Sequence, residues 1–172
     1  MKVVIDTSSL LSLIRYYLPF DKRNILYDYV GSQIQNGDLI IIDAVLEECK
    51  YTAQKLVLKT LSYLDNKNFK KLYKIPTRTK NLLLPAPKRF YNMLDNQFRT
   101  QHSRRLNEAE FEQYKKEFLD SADARMIIYA LNEKHIDKNA EIIIVTEESE
   151  TANDNKAFKK IPAICKPLGL TV

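Results

Sequence analysis

Three short apolar runs in this chain stop at acids. Val3-Val4-Ile5 ends in Asp6, and Ile40-Ile41-Ile42 ends in Asp43, with Glu47 and Glu48 just beyond. Ile143-Ile144-Val145 ends in Thr146-Glu147-Glu148. Runs of this length and β-branched character read as buried strands. If the strands are parallel, their carboxyl ends share the edge at which open α/β sheets bind ligands. Asp123 is a fourth contributor. It shares a helix face with Ile127 and Ala130 at about 100° per residue, where a charge is costly without a partner. Carboxylates gathered in one pocket raise one another's pKa unless a cation sits among them. A hard, oxygen-seeking divalent ion, Mg²⁺ or Mn²⁺, resolves that repulsion. Such an ion binds phosphate oxygens and activates water, so the implied reaction is phosphodiester hydrolysis.

The elements that must position these acids follow from periodicity and punctuation. A strand is expected over residues 2–5, then a helix carrying Leu10, Leu11, Leu13, Ile14 and Leu18, with Thr7, Ser8 or Ser9 as its cap. Pro19 and Asp21 mark a break. A second helix is expected over 23–35, closed by Asn36-Gly37-Asp38. A strand over 39–42 leads into a helix holding Val45, Leu46, Cys49, Ala53, Leu56 and Val57. Residues 61–117 read as mostly helical, broken at Pro76, Pro85 and Pro87, with Leu82-Leu83-Leu84 as an anchored loop. A helix around 119–131 is expected to be capped by Asp120 or Ser121. A strand over 142–145, a polar helix start and a last short strand around 163–165 complete the chain. Strands alternating with helices predict one domain, a three-layer α/β/α fold with a central parallel sheet and a helical basic insertion at about 61–117.

Composition narrows the function classes. The 172 residues are 45% hydrophobic, enough for one core. Three glycines, with no G-x-G-x-x-G and no G-K-[ST], argue against a phosphate-cradling loop. His102 and His135 lack metal-ligand spacing, and G-x-S-x-G is absent, so zinc and serine-hydrolase chemistry have no support. No apolar run reaches membrane-spanning length. The N-terminus does not read as a signal peptide, and Cys49 and Cys165 read as reduced core residues. The expected address is the cytoplasm. Net charge is +5, but residues 67–105 hold eleven Lys or Arg against Asp95 alone, leaving an acidic remainder. A basic segment joined to an acidic body suggests a polyanionic partner. Lys70, Lys71, Lys74, Arg78, Lys80, Lys88 and Arg89 are the candidate backbone contacts. The interleaved Phe69, Tyr73, Phe90, Tyr91 and Phe98 are either base-stacking platforms or small-core residues.

Four segments in order carry a family resemblance: Val4-Ile5-Asp6-Thr7-Ser8, Val45-Leu46-Glu47-Glu48, Ser121-Ala122-Asp123-Ala124 with Ile127-Ile128-Tyr129-Ala130, and Ile144-Val145-Thr146-Glu147-Glu148. Together they resemble PIN-domain nucleases over about 1–60 and 118–172, outside the basic middle. The resemblance implies a metal-dependent endoribonuclease acting on RNA, frequently the toxin of a toxin–antitoxin pair, and suggests a homodimer. By position it implies Asp6, Glu48 and Asp123 as metal-coordinating acids using Mg²⁺ or Mn²⁺, and Glu148 as the fourth catalytic acid. Thr7, Asp120, Thr146 and Glu147 are supporting or alternative positions. Glutamate stands at 148 where the family usually has aspartate, which leaves Glu147 and Glu148 in competition.

Each acid also has an ordinary structural reading. Asp6 and Asp43 are in place to cap helices, and Asp123 to form a box-like cap opposite Asp120. Glu47, Glu48, Glu147, Glu148 and Glu150 suit first helical turns, where the dipole favours them. Two further functions compete with the nuclease. One is a non-catalytic nucleic-acid-binding module of the same fold. The other is a phosphotransferase using Asp6 as nucleophile, against which Ser8 stands where an Asp-x-Asp start needs its second acid.

Overall fold

The computed structural model describes residues 1–150 and 156–172. It is an α/β structure with a small parallel sheet. The strands are β1 (Lys2–Ile5), β2 (Leu39–Ile40) and β3 (Ile142–Val145), in the order β2-β1-β3. Register is fixed by Val4 opposite both Ile40 and Ile144. The sheet is completed at both sides by single parallel bridges, Ile42 to Thr77 and Ile143 to Thr171. β2 is shorter than the 39–42 run predicts because Ile41 and Ile42 turn from β1 to the 77 segment, where Thr77 N–H donates to the Ile41 carbonyl at 3.0 Å.

The helices are α1 (Thr7–Ser12), α2 (Ile25–Asn36), α3 (Asp43–Tyr51), α4 (Leu56–Thr60), α5 (Lys67–Leu72), α6 (Pro87–Asn96), α7 (Glu108–Asp120), α8 (Ala122–Ile136) and α9 (Ile161–Leu168). α1 widens into a π-helical turn at Leu13–Tyr17 and tightens to a 3₁₀ turn before Asp21. α2 ends at Gly37, whose φ of 75° is the left-handed conformation glycine adopts freely. The helix expected after Asp43 is not continuous. It stops at Tyr51, and Ala53, Gln54 and Lys55 all take positive φ before α4 begins. Nothing in residue type announces that turn. It re-aims the chain so that Val57, Leu61 and Leu64 enter the core fully buried.

The strand expected near 163–165 is a correction: that segment is α9. Ile161, Ile164 and Cys165 are buried at helical spacing, Pro162 occupies the first turn where proline is tolerated, and Gly169 closes the helix with φ 69°. The chain joins the sheet only afterwards, where Ile144 N–H donates to the Thr171 carbonyl at 3.0 Å.

The middle of the chain is less helical than its pattern predicts. α5 is separated from α6 by coil over 73–86, and α7 starts at an Asn107/Glu110 capping box. Leu82 and Leu84 pack on the core, as an anchored loop requires, while Leu83 lies exposed and its carbonyl accepts from Asn132 at 2.8 Å. Phe90, Met93, Leu94, Phe98 and Phe111 belong to the same hydrophobic core as Val4, Ile42 and Ile127. Phe90 and Phe98 are buried, which removes them as stacking platforms. The polar helix start expected beyond Glu148 falls on 151–155, outside the described residues. Among the described residues no helix is long and apolar enough to cross a membrane.

Candidate functional site

Asp6 follows β1 directly and is 6% exposed. Of the two kinds of cap expected for α1, a hydroxyl or Asp6, the Asp6 carboxylate takes the role: Oδ1 accepts from Ser9 N–H at 2.6 Å. Oδ2 accepts from the Thr146 hydroxyl at 2.7 Å. That hydroxyl in turn accepts from Glu148 N–H at 3.1 Å. The register of β1 against β3, with Ile5 opposite Val145, is what brings these residues side by side. A carboxylate has about four lone-pair sites, so capping does not exhaust Asp6. The Ser9 hydroxyl beside it is buried without a hydrogen-bond partner among the described residues.

Glu48 arrives on α3. Its Oε2 accepts from the Thr7 hydroxyl at 2.6 Å, which ties α3 to the start of α1. Glu47, its neighbour, points to solvent and pairs with Lys50. That hydrogen bond, with the lysine's charge, holds the Glu47 carboxyl below its ordinary range. Glu148 is half-buried while Glu147 is exposed. Glu148 Oε2 accepts from Ile161 N–H at 2.9 Å, and Oε1 lies 3.5 Å from Lys156 Nζ.

Asp123 sits in the first turn of α8. The helix cap is Ser121, whose hydroxyl accepts from Ala124 N–H at 3.3 Å. Asp120 is neither a cap nor a box partner for Asp123. It ends α7, lies 4.0 Å from Arg125 Nη2, and lines a different cleft with Thr79, Lys80 and Arg125. Burial pushes the Asp123 carboxyl up to about 6, helped by the negative charges of Glu148, Glu48 and Asp6 and opposed by Lys156. Glu148, Glu48 and Asp6 are thus close enough for their charges to act on Asp123. These three already hold protein hydrogen bonds, and among the described residues no three acids close on a common point in the manner of a preformed chelate.

Asp43 lies apart from this group. Its carboxylate clamps the 77–79 segment, accepting from the Thr79 N–H at 3.1 Å, from the Thr79 hydroxyl, and from Ala44 N–H. Burial would raise its pKa, but these bonds outweigh burial and lower it. Cys49, next to Glu48, is no nucleophile: burial and the Glu48 charge raise its thiol to about 11.

The candidate basic residues are found in several settings. Lys70 lies 3.9 Å from Asp65. Lys71, Lys74 and Arg78 are exposed. Lys80 lines the Asp120 cleft, whereas Lys88 and Arg89 line a separate depression beside Pro167. Phe69 and Tyr73 are drawn into a chain of ring contacts running from Tyr27 through Tyr63. Lys156, Lys159 and Lys160, by contrast, line a cleft together with Asp123 and Glu148. Sequence reasoning passed over them. The available signal was three lysines within five residues, around Phe158 and downstream of the third acid-tipped strand.

No curated protein and no solved structure matched the chain. A family model did, over residues 3–172, which takes in every acid described above. On that match the chain belongs to the family described as a domain of unknown function, DUF4411.

Proposed function

We propose that this chain is a Mg²⁺- or Mn²⁺-dependent endoribonuclease with a PIN-like α/β/α arrangement. The observation that carries the reading is the convergence of Asp6, Glu48, Asp123 and Glu148 on the carboxyl edge of a parallel sheet. The donors are all oxygens, the ligand type of a hard divalent ion. Asp123 is raised first by burial and then by the negative charges of Glu148, Glu48 and Asp6, and a cation beside it would answer both. The orphaned Ser9 hydroxyl adds a buried polar atom beside Asp6. Asp6, Glu48 and Asp123 would hold the ion, with Glu148 behind them. A bound ion there supplies charge to the phosphate and lowers the pKa of an attacking water. The chain's own contribution is orientation: Thr146 aims Asp6, Thr7 aims Glu48, and Ile161 N–H fixes Glu148.

The test is cleavage of a mixed RNA panel by the full chain with Mg²⁺ or Mn²⁺ against EDTA. Cleavage that appears with the ion and disappears with the chelator is the expected result. A second reading, a nucleic-acid-binding module without catalysis, draws support from the hydrogen bonds that already occupy three of the acids and from glutamate at 148. Salt-sensitive RNA binding with no cleavage under either ion would establish it. The toxin role, an antitoxin partner, a homodimer and a cytoplasmic address rest on the resemblance and on composition. A small DNA-binding protein encoded next to this one would favour the toxin.

A further inference from the structure

Beside the acids lies a cleft of about 330 Å³ whose floor includes Asp123 and Glu148. One wall is a single face of α7, where Tyr114, Glu117 and Phe118 recur at i, i+3 and i+4, continued by Ser121 at the helix's C-cap. Phe158 closes it from behind. Its ring is held 4.8 Å from Phe118 and 5.7 Å from Phe111, so the aromatic wall is fixed before any ligand arrives. Phe158 is buried, but Tyr114 keeps 42% of its surface exposed. Lys156, Lys159 and Lys160 line the cleft opposite the helix. Lys156 Nζ lies 3.5 Å from Glu148.

This lining has two halves with different tastes. Aromatic faces take flat, weakly polar rings. Ammonium groups take phosphate. The ligand that offers both, one ring and one phosphate at a time, is a single-stranded nucleic acid. A cleft of this size seats one base with its sugar and excludes a duplex. We propose that it is a nucleobase pocket: one unpaired base of the RNA rests against Tyr114 and Phe118, and the adjoining phosphate passes the lysines to the acids. The proposal rests on the nuclease reading for what happens at the acids, but binding in the pocket does not require catalysis.

The experiment therefore reads binding alone. The Asp6→Asn chain in EDTA is titrated against a short labelled single-stranded RNA of mixed sequence and against a base-free ribose-phosphate oligomer of the same length. Tyr114→Ala should weaken RNA binding about tenfold, as loss of one stacked base does, and leave the base-free oligomer within about twofold. Tyr114→Phe, which keeps the ring, should match the parent. Because Tyr114 is partly exposed, the fold should survive, and Phe118→Leu, which keeps bulk without the aromatic face, should repeat the loss. The proposal is overturned if Tyr114→Ala binds RNA as the parent does, if it weakens both oligomers equally, or if the parent binds no RNA. RNA binding that depends on Tyr114 in a chain whose wild type never cleaves would sink the nuclease reading and leave the pocket standing. Metal-dependent cleavage with Tyr114-independent binding would do the reverse.

Discussion

Asp6 and Thr146 are 140 residues apart and share a hydrogen bond of 2.7 Å. Lys80 and Lys88 are close in sequence and line different depressions. The acid edge and the basic middle thus treat sequence distance in opposite ways. At the acid edge each carboxylate is tied to an element whose direction is fixed by the parallel ladder. The strand ends set where Asp6 and Glu148 lie, and helices packed on the sheet bring in Glu48 and Asp123. In the basic middle the charges sit on short helices and coil and find different settings: Lys70 lies near Asp65, Lys80 lines the Asp120 cleft, and Lys88 and Arg89 line the depression beside Pro167. A long side chain on an exposed turn also gains little from being held in one place. Charge concentrated in sequence is thus divided among separate clefts, while charge scattered in sequence is gathered at one strand edge.

The largest effect that would break this contrast concerns Asp6. Asp6→Asn keeps a good cap for α1, since asparagine caps about as well as aspartate. It removes the carboxylate on which the metal reading depends. Cleavage with Mg²⁺ or Mn²⁺ should fall on the order of a thousandfold, with the thermal transition unchanged or raised. A rate equal to wild type would reduce Asp6 to a cap and dissolve the site.

Thr146→Val comes next. The hydroxyl joins Asp6 to Glu148 across the β1–β3 register. Valine keeps the β-branched shape and loses both bonds. Activity should drop about 10- to 100-fold, the usual penalty for losing a group that aims a metal ligand. Thr146→Ser should recover most of it. Equal rates in the valine and serine variants would show that the threonine is ordinary strand-end packing.

Asp123→Asn should act on stability rather than rate alone. The Asp123 carboxyl is raised to about 6 in the folded chain, so its ionised form destabilises the fold above that pH. Between its ordinary value near 4 and about 6 the folded state binds more proton than the unfolded state, and stability falls as pH rises. In EDTA at pH 7 the asparagine variant should be more stable by roughly 1–3 kcal/mol, set against a few tenths lost from the favourable helix-start charge. The gain should vanish below about pH 4. Urea unfolding of both proteins at pH 4 and pH 7 measures it. A variant less stable than wild type at pH 7 would mean that neither burial nor the neighbouring acids penalise the Asp123 carboxylate.

Much of this edge was legible in the chain itself, for physical reasons particular to it. Val3-Val4-Ile5 and Ile142–Val145 are continuous apolar runs because most of each strand is covered on both faces; the first stops at Asp6, itself buried, and the second at Thr146, two residues before Glu148. Parallel pairing then does the rest without further information. Glu48 stands ahead of Glu47 by motif position already, whereas Glu148 over Glu147 needed a contact, the Ile161 N–H. α9 was misread because Ala163-Ile164-Cys165 is too short for periodicity to decide, and Pro167 in the last turn looks like a breaker. The turn at Ala53-Gln54-Lys55 has no glycine to announce it. The cleft against α7 was hidden for another reason. Tyr114 and Phe118 belong to one helix and the three lysines to a segment beyond β3, and no local pattern joins them.

The smallest expected effect tests the dispersed side. If the basic middle touches RNA at all, its exposed lysines do so one at a time, through phosphates. Lys71 is exposed on α5. Lys71→Gln should lower the slope of log affinity against log salt by about 0.7, the increment for one contact to a single strand, and weaken binding about fourfold at 0.15 M salt. Tyr114→Ala should leave that slope untouched while costing more affinity, because a stacked base releases no counterion. Titrating both variants from 0.05 to about 0.3 M salt separates the two contributions. An unchanged slope in Lys71→Gln would make the α5 lysines a solvated surface or a face for another partner. The phosphate contacts would then be left to Lys156, Lys159 and Lys160 beside the acids.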